Sequence, residues 1–380
     1  MKKLFWFGLL GLFLFEIVNV YFIMPMPGSQ DMNSIDAAYF LHRWRWIFRG
    51  LFGLMILAGF FKSKWTKRSR GFAFIATGIV VIVTYMANFQ LAADHMFYQP
   101  NKVLMATAAA STVDSNRLVI GVEYNGQAKA YPIQYLGFHH QVQDTIGGKP
   151  IMVTYCTVCR TGRVFEPLVN GKQETFRLVG MDHFNAMFED ATTKSWWRQV
   201  TGEAIAGKLK GQQLPEVFST QTSLTTWLGL HPNTLIMQAD SSFIDSYSKD
   251  RKYESGQSRD ALTGTDTVSW KNKSWVIGVK AGKDRKVYDW IRLKEERIIQ
   301  ENIGNTPITL ILANDNRSFF AFERPDEGAR FHLGRDTITY NTHHFRIDGK
   351  GIDTSYSLKP LPAYQEFWHS WRTFNPGTLK

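Results

Sequence analysis

The sequence predicts transmembrane α-helices at the N-terminus, followed by a β-rich (α+β) exported region built from two related modules. Three observations carry that prediction. Apolar runs long enough to cross a bilayer fall in the first ninety residues; the rest has short apolar segments bounded by Gly and Asn; and a 48-residue stretch matches another without a gap. Composition agrees. In 380 residues, a hydrophobic share of 44% excludes a disordered chain, and two cysteines exclude a disulfide-dense scaffold. The net charge of +11 does not by itself define a partner.

The membrane region is expected at 1–92, with helices at about 4–24, 44–61 and 71–89. A cleavable signal would need small residues after the first run, where Met24-Pro25-Met26-Pro27 stands instead. Lys2 and Lys3 precede the first run, and Lys62, Lys64, Lys67, Arg68 and Arg70 fill the loop between the second and third. Basic loops stay in the cytoplasm, and three spans put both segments there. The chain is therefore expected in the inner membrane, with everything from about Leu91 onward in the periplasm or outside. The basic loop reads as a topology determinant touching membrane lipid, and no nucleic acid is expected as a partner. Glu16 lies inside a span, which points either to a functional role or to neutralisation by a helix partner such as Arg49.

In the exported region, Val119–Glu166 aligns on Val276–Glu323 at an offset of 157, with 15 identities in 48 positions. Trp227 precedes Pro232 by five residues, as Trp371 precedes Pro376. Two modules follow, at 112–245 and 268–380, joined by a Ser-, Asp- and Gly-rich stretch. Each reads as short strands: Leu118–Val122, Ile151–Tyr155 and Arg163–Glu166 in the first, Ile308–Leu312 and Phe319–Glu323 in the second. Gly147-Gly148 and Gly304-Asn305 are hairpin turn signals, and Pro132 can open a short helix.

The chemistry sits in one copy. Cys156 and Cys159 correspond to Ala313 and Asn316, and His139 and His140 to Glu296 and Arg297, so the related module does without all four. With Gly147-Gly148 as the turn, paired positions sum to 295, which sets His139 opposite Cys156; a three-residue loop sets His140 there. The CxxC lies between two apparent strands, unlike a thioredoxin-type CxxC that opens a helix, and closer to a metal knuckle. Two sulfurs with one or two imidazoles suit zinc or copper. Met181, His183 and Met187 are further candidate ligands, and Trp197 and Gln199 are expected to wall the cleft. Three readings stand together: a metal site on Cys156, Cys159, His139, His140 and His183; a thiol redox centre with His139 as base; and a plain Cys156–Cys159 disulfide with no cofactor.

These residues resemble the bacterial domain of unknown function 3179 family, whose signature is Tyr-Cys-Pro-x-Cys. The family's His-Glu-x-Val-Asn-Asp block appears here as His139-His140-Gln141-Val142-Gln143-Asp144. Its Asp-x-x-Thr-x-Ser-x-Trp-x-Gln block appears as Asp190, Thr193, Ser195, Trp197 and Gln199. The closing aromatic block is Phe367, Trp368, Trp371, Phe374 and Pro376. Thr157 replaces the signature proline, and His140 stands where the family commonly has Glu. The resemblance implies kinship over most of 112–380 and no reaction. The functional expectation is a membrane-anchored exported protein with a Cys-Cys-His redox or metal-binding site and a protein or small-molecule partner. The alternative is a binding or structural module stabilised by the disulfide. Whether the chain is an enzyme is left open.

Overall fold

The computed structural model describes residues 1–247 and 251–378. They form two compact units: Met1–Tyr98 with Phe176–Arg198 and Glu203–Gln212, and Gln99–Thr175 with Gln199–Gly202 and Gln213–Lys380. The module expected at 112–245 is thus divided, because its middle strands pack with the N-terminal helices.

In the first unit, two helices are long and apolar enough to cross a membrane, Lys2–Tyr21 and Lys67–Gln90. Arg45–Phe61 passes the same test only together with Ile35–Arg43, to which it is bent by 59°. Close backbone approach joins Lys2–Tyr21 to Arg45–Phe61: a Cβ on Gly59 would lie 2.4 Å from the Phe5 nitrogen, so only glycine fits. Thr66 and Ser69 form a capping box that starts the last helix after the basic loop. Leu54, Phe61, Phe72, Ile75 and Ile82 remain exposed on the helices. Such surfaces suit a membrane anchor. Inside, Glu16 is fully buried, and Arg49 grips both its oxygens at 2.7 and 2.9 Å. Asn88 donates to Glu16 at 2.9 Å and accepts from Arg49 at 2.6 Å, so three helices share one satisfied polar cluster.

The same unit holds a four-stranded antiparallel sheet, in the order Ala204–Ala206, Trp196–Arg198, Asn185–Asp190, Phe176–Asp182. Its edge meets the chain just after the first helix, where Met181 N–H donates to the Ile23 carbonyl at 2.8 Å. Arg177 bridges Asp94 at 2.8 Å and Glu189 at 2.7 Å. The sheet therefore packs at the helix ends opposite Lys2, Lys3 and the 62–70 loop.

The second unit contains two runs with the same order of elements. The first is strand Leu118–Tyr124, strand Gln127–Pro132, helix Ile133–His139, then strands Gln141–Ile146, Lys149–Cys156 and Thr161–Phe165. The second is Trp275–Ala281, Asp284–Asp289, helix Trp290–Glu296, Ile298–Ile303, Thr306–Leu312 and Phe319–Glu323. Gln141 pairs with Thr154 and Ile146 with Lys149, around a Gly147-Gly148 turn with φ of 54° and 85°. Ile298 pairs with Ile311 and Ile303 with Thr306, the same register displaced by 157 on each strand. Each run is closed by a late strand and a seven-residue helix, Thr220–Ser223 with Leu224–Leu230 and Ala363–Phe367 with Trp368–Phe374. Trp227 lies on Gly121 and Trp371 on Gly278, so close that an added Cβ would stand 2.2 and 1.8 Å from the indoles.

One buried ion pair ties the two runs. Arg163, from the strand after the CxxC turn, meets Glu366 of the closing strand, with both side chains almost fully excluded from solvent. Thr161 and Ser370 donate to the same carboxylate at 3.1 and 2.8 Å, and the guanidinium lies 3.4 Å over the Tyr364 ring. Such a pair needs this many partners to offset its desolvation.

Candidate dithiol site

Cys156 ends its strand opposite Thr161, and Thr157–Arg160 makes the turn. Both cysteines are fully buried thiols with no disulfide between them. The turn is forced by Arg160, which has a φ of 55° although it is not glycine. Its buried side chain holds that conformation. It donates to Gln365 Oε1 and the Tyr253 carbonyl at 3.0 Å and to the Glu254 carbonyl at 3.2 Å, and stacks 3.5 Å from the Trp275 ring. Three of the turn's carbonyls are claimed: Thr157 by Tyr253 Oη at 3.0 Å, Cys159 by Phe367 N–H at 2.9 Å, and Val158 by Lys273 Nζ at 2.9 Å and His369 Nε2 at 3.0 Å.

Lys273 gives the site its charge. Burial holds its ammonium below the usual lysine range, and the Cys159 and Cys156 sulfurs pull it back up. His369 is held down to about 4, chiefly by burial and next by the Lys273 charge, so it is neutral at pH 7. Two sulfurs beside a buried cation are a setting that favours thiolate. Neither Lys273 nor His369 stood out in the sequence. His369 sits inside the closing aromatic block, and its place there was the available signal; Lys273 has no local signature.

The two histidines sit where the helix Ile133–His139 hands over to the strand Gln141–Ile146. The 295 register is real: the paired strands run to Gln141 and Thr154, and Tyr155 N–H donates to the His140 carbonyl at 2.9 Å one position beyond. His139 is the last residue of the helix, and His140 is its left-handed cap at φ 61°, so neither takes a ladder position opposite Cys156. A chain leaving a helix for a strand needs that cap, which removes the two residues from the strand. His139 Nε2 meets Tyr247 Oη at 2.6 Å, and its ring packs edge-on against Phe243. Burial holds His140 down to about 4. Among the described residues, no group of three or more His, Cys, Asp or Glu could hold a metal ion.

Gln199 lies behind the dithiol turn. Buried, it donates to Thr154 Oγ1 at 2.9 Å and to the Thr161 carbonyl at 3.1 Å, bracing both strands that carry the turn. Trp197 belongs to the first unit, where its indole donates to Asp190 at 3.0 Å. Asp190 also accepts from Thr193 Oγ1 at 2.6 Å and Ser195 N–H at 3.1 Å, so the Asp-Thr-Ser-Trp block is a self-bonded turn. His183, also in the first unit, bonds Asp182 at 2.7 Å and Asn33 at 3.1 Å; the Asp182 carboxylate raises its pKa. Met181 and Met187 are strand residues there.

A family model described as a protein of unknown function, DUF3179, matches residues 99–378. The chain belongs to the DUF3179 family. No curated protein and no solved structure matches it. The DUF3179 match takes in the dithiol turn, Lys273 and His369 together, and leaves the long N-terminal helices outside its span.

Proposed function

We propose that this DUF3179 protein is anchored by three membrane spans, with its second unit exported, and that Cys156 and Cys159 form a redox pair. The observation behind the redox assignment is the buried Lys273 ammonium, coupled to both sulfurs and bonded to the carbonyl between them. A thiolate from the pair attacks a disulfide on an exported protein or small-molecule partner and displaces one partner thiolate. The second cysteine then attacks the first cysteine's sulfur and displaces the remaining partner sulfur as a thiolate. The pair ends as a Cys156–Cys159 disulfide, two electrons have moved, and the partner leaves as a dithiol. Neutral His369 and Lys273 both bond the Val158 carbonyl, which holds the ammonium at the turn.

The three-span reading draws on the bent pair Ile35–Arg43 and Arg45–Phe61 as the second span, and on the basic segments at one end of the helices. Duplication of the exported module draws on the common register offset of 157 and on the matching Gly–Trp contacts. In this reading the second copy is a degenerate partner that supplies Lys273 and His369 to the first copy's cysteines.

Complete burial of both sulfurs favours a second reading, a structural disulfide without turnover. Equilibration of the full chain in thiol buffers separates the two. A redox pair has a midpoint between about −120 and −270 mV, and Lys273→Met slows alkylation of the reduced protein at pH 7 by about tenfold. A midpoint below about −300 mV, with alkylation unchanged in Lys273→Met, establishes the structural disulfide instead.

A further inference from the structure

The first unit contains two cavities that share a wall. One, of about 390 Å³, is polar and lined by Arg43, Arg45, Arg177 and Lys194 against only two carboxylates, Asp94 and Glu189. The other, of about 280 Å³, is almost wholly apolar and runs along Ile17, Val83 and Met86. Val20, Ala87 and Leu91 face both. Two buried polar atoms at the first cavity have no hydrogen-bond partner: Asn19 Oδ1, on a side chain only 5% exposed, and His42 Nε2. A buried polar atom left unsatisfied in a roomy site is one that a ligand can satisfy.

We propose that these two cavities together hold one anionic diacyl glycerophospholipid. Its phosphate sits among the arginines, a headgroup hydroxyl donates to Asn19 Oδ1, and an acyl chain lies in the apolar cavity. Charge selects the headgroup, since four cationic side chains face two carboxylates and guanidinium groups bind phosphate in a forked geometry. Apolarity of the adjoining cavity selects an amphipathic molecule over a free anion, which would leave that cavity without a ligand group. The position fits too: both cavities lie where the helices end, the depth at which a lipid changes from tail to headgroup. The proposal rests on the three-span reading of this unit.

The test uses the full chain, delipidated in detergent and offered dioleoyl phosphatidylglycerol, dioleoyl phosphatidylcholine or inorganic phosphate, with retained lipid counted by native mass spectrometry. One phosphatidylglycerol per chain is expected, with phosphatidylcholine retained at least tenfold more weakly and phosphate giving no thermal shift at matched concentration. Arg43→Gln with Arg45→Gln should lower retention tenfold or more. Leu91→Asp, at a partly exposed shared-wall position, should do the same while the thermal transition is kept. Equal retention of the two lipids, a phosphate shift equal to that of the lipid, or unchanged retention in both variants overturns the site. A cytoplasm-dependent reporter at the C-terminus separates this from the topology: activity there refutes three spans, whereas silence with no selective retention refutes only the lipid site.

Discussion

Replacing Glu366 by alanine removes the carboxylate at the centre of the second unit. Arg163 would keep its bonds to Thr161 Oγ1 at 2.7 Å and the Gly162 carbonyl at 2.9 Å, but its nearest remaining carboxylate is Glu216, 3.6 Å from Nε. Breaking one partner out of a buried pair costs about 3–5 kcal/mol, because the other charge stays buried. Glu216 is one-third exposed and compensates weakly, so the lower half of that range is expected. For a unit of this size, a loss of about 3 kcal/mol lowers the midpoint by about 6–12 °C. The assay is thermal unfolding of the full chain in detergent, followed by tryptophan fluorescence. Glu296→Ala is the control, since that residue forms an exposed i,i+4 pair with Arg292 and should move the midpoint by no more than about 2 °C. Adding Arg163→Met to Glu366→Ala should recover most of the loss, because no unpaired charge then remains. Equal shifts for Glu366→Ala and Glu296→Ala would falsify the view that this pair clamps the two runs.

Two further outcomes are expected. His140 and His369 are each held near 4 by burial, whereas an unfolded histidine titrates near 6.5, so protons bind preferentially to the unfolded chain between those values. Stability is present in full above about pH 6.5, falls by up to about 1.4 kcal/mol per pH unit for each histidine as pH drops toward 4, and levels below. Denaturant midpoints across pH 4–8 measure this, and His140→Asn should remove about half the slope. Gly121→Ala and Gly278→Ala should each destabilise by about 1–3 kcal/mol, because each new methyl meets an indole. Gly229→Ala, which meets open space, should be neutral or slightly stabilising by the same denaturant titration.

The hairpins could be read from the chain because a turn glycine pair and a period of two are local properties. Gly147-Gly148 even supplied the register. The placement of His139 could not be read the same way: a register extends only as far as its ladder, and nothing in Gly137-Phe138-His139-His140 marks where the helix stops. Glu16 and Arg49 were legible as partners because a charge inside a span has few ways to be satisfied. Lys273 was illegible because it reaches the cysteines from 114 residues away through tertiary folding alone. The Asp190–Trp197 block stood out as a motif, but its hydrogen bonds are nearly all internal, so its visibility reflected a demanding turn rather than a cleft.

The two units exchange the chain repeatedly, and this has a consequence for biosynthesis. The helices are finished by Tyr98, yet the last segment of their unit ends only at Gln212, which is 114 residues later. At roughly 5–20 residues per second, about 6–23 s pass between the two events. During that interval the Ile23 carbonyl, Asp36 and Asp94 await partners that have not been made. The nascent helices therefore pass through a stage with an uncovered polar end, the stage at which a chaperone or the insertion machinery can hold them. A stop anywhere between 99 and 175 would leave the chain in that state, with its helices complete and their cap absent.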